Sequence, residues 1–137
     1  MNAITDDMTV RHVVKTDGDV VIARQKGRQL ASEMGFARPD QALIATAISE
    51  LTRNIVNYAG MGGIEMGIIH LNGRSGMRVV CTDDGPGIAD IESAMIDGFS
   101  TGNSLGLGLP GTRRIVDELD IRSRPGEGVT VTLVKWL

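Results

Sequence analysis

The chain is poor in several features that would send its reading elsewhere. It has one cysteine, Cys81, in 137 residues, which excludes an internal disulfide framework and a multi-cysteine metal knot. Aromatic residues are 3% of the chain, and 17 acidic residues outnumber 14 basic ones for a net charge of −3. Neither stacking platforms nor a basic stripe therefore points to nucleic acid. Residues 1–14 carry no charged-then-apolar leader, and no apolar run is long enough to span a bilayer. A cytoplasmic setting, with no nucleic-acid and no membrane partner, is the expectation. Prolines number only 4, whereas glycines number 18 and are clustered. With 42% hydrophobic and 23% charged residues, the chain has the composition of an ordinary globular domain, and its length fits a single domain over 1–137.

Hydrophobic spacing gives the element order. Residues 9–15 are β-rich, and Thr16-Asp17-Gly18-Asp19 offers turn and N-cap chemistry. Val20, Ala23, Gly27, Leu30, Ala31 and Met34 recur at helical spacing, with Gly35 at the stop position. A second helix is expected from Pro39-Asp40, its apolar face running through Leu43, Ala47, Leu51, Ile55 and Tyr58 and ending before Gly60. Strands at 64–71 and 77–82 flank a turn-rich 72–76, which predicts a hairpin. A glycine-rich stretch over 83–111 follows, with a short helix expected at 90–96. A helix at 110–118 and strands at 120–124 and 129–136 complete the chain. Hairpins with helices between them predict an α+β fold, a two-layer α/β sandwich with a mixed, mostly antiparallel sheet covered on one face by helices.

Three segments carry chemistry. In the second helix, Glu50 and Asn54 are four apart and share a face, with Asn57 three further on. A carboxylate and an amide beside a buried seam suit a general base and an oxygen ligand for Mg²⁺; the same residues also read as a solvated polar face. Asp83-Asp84-Gly85-Pro86-Gly87 follows a buried strand. It places an acceptor for an exocyclic amine beside a wall of bare backbone that a flat ring can approach, or it is a simple Pro-Gly turn. The third segment is Gly102-Asn103-Ser104-Leu105-Gly106-Leu107-Gly108-Leu109-Pro110-Gly111. Small residues leading into a helix form an anion site, most naturally for phosphates. Arg113 and Arg114 in that helix are within reach of a phosphate or form a solvated face. Gly106-x-Gly108-x-x-Gly111 matches the dinucleotide fingerprint in letters only, because no strand precedes it in a βαβ unit, and the Gly-Lys-Ser/Thr of a P-loop is absent. Cys81 reads as a buried thiol, and His12 and His70 as structural side chains.

Taken in order, these segments resemble the GHKL ATPase/kinase superfamily, whose nucleotide-binding domain is the Bergerat fold. Glu50-x-x-x-Asn54 is similar to its N box, and Asp83-x-Gly85-Pro86-Gly87 and Gly106-Leu107-Gly108-Leu109 are similar to its two glycine boxes. Residues 46–51, 57–60 and 97–101 and the pair Lys135-Trp136 resemble its stressosome serine/threonine switch-kinase branch. The resemblance implies ATP and Mg²⁺ as cofactors. Asn54 would hold Mg²⁺, Glu50 would act as general base, Asp83 would accept from the adenine amino group, and Gly87 would let the ring pass. Gly106 and Gly108 would cradle the phosphates, and Asn57, Gly85, Thr101, Gly102 and Leu107 would complete the nucleotide contacts. The family often carries Thr directly after a late Gly-x-Gly; here Gly126-Glu127-Gly128 is followed by Val129, and the candidate adenine contact Thr130 stands one place later. Such an offset reverses a strand residue's face. The implied activity is ATP-dependent serine/threonine phosphorylation of STAS-domain scaffold or antagonist proteins, followed on release by activation of a PP2C-type phosphatase. The alternative is an anti-sigma factor of the same superfamily that binds a sigma factor and phosphorylates its STAS-domain antagonist.

Overall fold

A computed structural model describes residues 5–85, 108–124 and 126–137. Among them five strands form one sheet: β1 (Thr5–Val14), β2 (Gly62–Leu71), β3 (Arg74–Asp83), β4 (Glu118–Arg124) and β5 (Gly128–Trp136). The order is β1-β2-β3-β5-β4, and all four pairings are antiparallel. Helices α1 (Asp17–Met34), α2 (Arg38–Asn54) and α3 (Gly108–Ile115) complete the α+β sandwich. The short helix expected at 90–96 lies outside the described residues.

Local chemistry sets the boundaries. Thr16 and Asp19 form a reciprocal capping box at the start of α1. Asp19 also accepts the Lys15 N–H at 2.9 Å and faces His12 Nε2 at 3.1 Å. The Lys15 N–H, followed by the His12 contact, lowers the Asp19 pKa to about 2. Gly35 ends α1 at φ 97°. Asn72 and Gly73, with φ 54° and 76°, form the two-residue turn between β2 and β3, which requires positive φ at both positions.

The core lies between the sheet and α1 and α2. Ile44, Ala47, Ile48, Leu51 and Ile55 meet Ile64, Met66, Val79 and Leu133 there. The expected stripe on α2 is correct at Ala47, Leu51 and Ile55, but Leu43 is only half-buried and Tyr58 is 41% exposed. For Tyr58 the cause is a π turn over Ile55–Ala59, closed by the Gly60 N–H on the Ile55 carbonyl at 2.9 Å. Its wider winding breaks the 3.6-residue spacing that the stripe assumed.

Alternation along β3 puts Met77, Val79 and Cys81 on the covered face, and Asp83 falls in phase with them. Thr82 and its partner Thr130 fall on the opposite face. At the far end of β5, Lys135 donates to the Ile115 carbonyl at the end of α3 at 3.2 Å and lies 3.9 Å from Asp40 at the start of α2. Trp136 Nε1 donates to Glu118 at 2.9 Å, and Arg74 stacks over the indole at 4.8 Å. The terminal Lys-Trp pair is thus a clasp between strands and helices.

Candidate functional site

The segment 50–59 carries the site at both of its ends. Glu50 is 3% exposed near the end of α2, and both of its carboxylate oxygens are engaged. Oε1 accepts from Arg53 Nη1 at 2.9 Å, and Oε2 accepts from the backbone N–H of Gly108 at 3.1 Å. Gly108 is the first residue of α3, where N–H groups have no partner within the helix and the dipole favours negative charge. Glu50 therefore faces the start of the helix that the sequence marks as an anion site.

The other end is a corner built around Asp83. Asp83 Oδ1 accepts the Gly85 N–H at 2.8 Å, a turn that leaves Oδ2 without a hydrogen bond among the described residues. Glycines pack closely around the backbone that carries Asp83. A Cβ on Gly85 would sit 2.7 Å from the Ala59 Cβ and 2.9 Å from its Cα. One on Gly62, the register partner of Asp83, would overlap the Thr82 carbonyl. Gly128 has φ 85°, and a Cβ there would overlap the Asp83 carbonyl. Three glycines from separate parts of the chain thus fix where Asp83 stands, and Ala59 ties that corner to the end of the π turn. Burial, together with the Asp83 charge, pushes the Cys81 thiol far up, so Cys81 is inert.

Of the residues singled out from sequence, the structure brings Glu50 together with Gly108, and Asp83 with Gly85. Asn54 is the last residue of α2. Its side chain is half-buried and makes no hydrogen bond to any described residue. Asn57 falls inside the π turn and is exposed, so the three-residue spacing no longer stacks it on Asn54. Thr130 pairs with Thr82 and stands on the face opposite Asp83, while Val129, the partner of Asp83, takes the covered side. The offset after Gly128 therefore has the consequence its register implies. Gly87, Thr101, Gly102, Gly106 and Leu107 lie outside the described residues. No cluster of three or more His, Cys, Asp or Glu suited to a metal is found among the described residues.

Sequence reasoning missed Arg53, Gly62 and Gly128. Arg53 carried a readable signal, being three residues from Glu50 on a helix. Gly62 and Gly128 stood in glycine clusters, but only pairing across β2, β3 and β5 reveals what they touch. An acceptor beside bare backbone suits a flat base bearing an amino group, and a helix start suits phosphates.

Residues 39–137 match the family of histidine kinase-, DNA gyrase B-, and HSP90-like ATPases. The chain is 48% identical over 134 residues to the serine/threonine-protein kinase RsbT of Bacillus subtilis, covering 98% of this chain and 99% of that one. It is 32% identical over 121 residues to an anti-sigma F factor of Caldanaerobacter subterraneus, covering 84% and 83%. Its fold is like that of the RsbU and RsbW domains of a Mycobacterium tuberculosis protein, with TM-score 0.63 and 20% identity. That match covers 93% of this chain and 32% of the longer one. A mycobacterial sensor histidine kinase, MprB, has the same fold at TM-score 0.57 and 15% identity, covering 99% and 97%.

Proposed function

Because the chain belongs to the histidine kinase-, DNA gyrase B-, and HSP90-like ATPase family, we propose that it is an ATP-dependent protein serine/threonine kinase of the RsbT type, acting in a partner-switching stress response. The observation that carries this reading is the near full-length, 48% identity to a kinase of that description. An acid at the start of a helix and a carboxylate corner at the two ends of one segment fit the same chemistry.

The residues present suit a magnesium-bound adenine nucleotide. Asp83, whose Oδ2 has no hydrogen bond among the described residues, accepts from the adenine amino group, with Gly85 and Gly87 as the glycine contacts of the ring. Gly108 at the start of α3 donates to phosphate, with Thr101, Gly102, Gly106 and Leu107 as further nucleotide contacts. Asn54 offers its amide oxygen to Mg²⁺, whose charge neutralises the phosphates. Glu50 aligns the acceptor hydroxyl and receives its proton. Catalysis is then mostly positioning and charge neutralisation. The acceptors are STAS-domain scaffold or antagonist proteins, and the chain released from them activates a PP2C-type phosphatase. The setting is cytoplasmic; no helix among the described residues is long and apolar enough to cross a membrane.

The 32% identity to anti-sigma F factors supports a second reading, in which the chain holds a sigma factor and phosphorylates its STAS-domain antagonist. One experiment tests the kinase reading directly. A STAS-domain protein from the same genome is incubated with this chain and Mg·ATP and analysed by mass spectrometry, with Glu50→Ala as control. A phosphoserine or phosphothreonine that disappears with Glu50→Ala is the expected result. Tight Mg·ATP binding without phosphorylation would overturn the kinase assignment, and co-elution with a sigma factor would favour the second reading.

A further inference from the structure

We infer that Arg53 is a positioning residue for the reaction: it fixes the carboxylate of Glu50 so that Oε2 points at the amino terminus of α3. This inference rests on the kinase reading above. The Glu50 side chain is 4% exposed, whereas that of Arg53 is 36% exposed. The guanidinium therefore reaches inward from a partly solvated position to a carboxylate that is almost wholly enclosed. A buried carboxylate needs a partner on each oxygen to offset its lost hydration. Arg53 takes Oε1 at 2.9 Å, and the only other described partner of the carboxylate is the Gly108 N–H on Oε2 at 3.1 Å.

The division of labour follows from the two bonds. The Gly108 N–H, at the start of its helix, is also the donor that a phosphate would claim. A phosphate that took this N–H would leave Oε2 without it, and Arg53 would then be the remaining described partner that keeps the carboxylate from rotating away. An arginine suits this task because its planar fork fixes direction as well as charge, which the ammonium of lysine does not. Arg53 thus acts through Glu50 and not on the nucleotide itself.

The test compares Arg53→Ala and Arg53→Lys with the unaltered chain in three measurements: Mg·ATP affinity, single-turnover phosphoryl transfer to the STAS-domain acceptor, and exchange of the Gly108 amide hydrogen by NMR. Arg53→Ala is expected to leave Mg·ATP affinity within about threefold and to lower transfer by roughly 10- to 100-fold, the usual range for groups that orient a functional ligand. It should also speed Gly108 exchange, and Arg53→Lys should recover part of the transfer rate. If Arg53→Ala does not fold, Arg53→Gln takes its place with the same expected loss of transfer. Full transfer with Arg53→Ala or Arg53→Gln would overturn the inference. So would a loss of Mg·ATP affinity as large as the loss of transfer, since Arg53 would then be a nucleotide ligand. If the unaltered chain binds Mg·ATP but phosphorylates no acceptor, the kinase reading fails. Gly108 exchange then still decides whether Arg53 holds Glu50 in place: faster exchange in the variant supports it, and unchanged exchange overturns it.

Discussion

The two ends of the segment 50–59 are held in different ways. At the Asp83 corner, backbone packs against backbone, with Gly62, Gly85 and Gly128 leaving no room for a side chain. At the Glu50 end, two hydrogen bonds from Arg53 and Gly108 hold a single enclosed carboxylate. Steric fixation is intolerant of change and unaffected by ligands, which suits a pocket that must recognise one base. Hydrogen-bonded fixation can be exchanged for another partner, which suits a group that must act during a reaction. On the proposed reading, the end that would read the base is rigid by construction, and the end that would react can be released.

The largest expected effect breaks the rigid end. Gly128→Ala introduces a Cβ at φ 85° that overlaps the Asp83 carbonyl. A positive-φ penalty of about 1–2 kcal/mol is added to overpacking of about 1–3 kcal/mol. Urea unfolding should therefore show a loss of roughly 2–5 kcal/mol, and a loss below about 1 kcal/mol would show that the corner yields. Gly85→Ala should cost less, about 1–3 kcal/mol, because its collision is with Ala59 in the π turn. The same displacement should weaken Mg·ATP binding at least tenfold, so calorimetric titration of that variant separates pocket shape from global stability.

Lys135→Met removes the bond to the Ile115 carbonyl and the distant pairing with Asp40 while keeping an apolar stem. A loss of about 1 kcal/mol is expected in urea unfolding, with Mg·ATP affinity unchanged. Loss of affinity would mean that the position of α3, and with it Gly108, depends on this clasp.

The smallest effect concerns pH. The folded pKa of Asp19 is lowered to about 2 from an ordinary value of 3.8. Its contribution to stability is therefore complete above about pH 4 and is lost as the pH falls toward 2. The melting temperature of Asp19→Asn should lack that part of the decline over pH 4 to 2 that the unaltered chain shows. Identical pH slopes for the two chains would show that the Lys15 and His12 contacts do not persist in solution.

Much of this was readable from spacing alone. Val20, Ala23, Gly27, Leu30 and Ala31 all lie buried along α1, and Gly35 ends that helix, because helical periodicity and C-cap geometry are local properties. The end of α2 was not readable. Nothing in Ile55-Val56-Asn57-Tyr58-Ala59 announces a π turn, so Tyr58 and Asn57 were placed by a period that no longer applied. The Asp83 corner was half legible: Asp83 and Gly85 lie in one short motif, but Gly62 and Gly128 come from the neighbouring strands β2 and β5, and their contacts depend on sheet register. Thr130 shows the converse case, where a single offset after Gly128, visible in the sequence, determined its face in the sheet.

Mg·ATP affinity by isothermal titration, for the unaltered chain and for Asp83→Asn, tests most directly whether the Asp83 corner reads the nucleotide base. An asparagine keeps the side-chain oxygen that accepts the Gly85 N–H, so the turn and the fold should survive, as circular dichroism and urea unfolding can verify. The second oxygen becomes an NH₂ donor facing another donor. Clear Mg·ATP binding by the unaltered chain and a loss of at least tenfold with Asp83→Asn at nearly unchanged stability are expected. Equal affinity in the two proteins would contradict this, because the carboxylate corner would then not be where the nucleotide base is read.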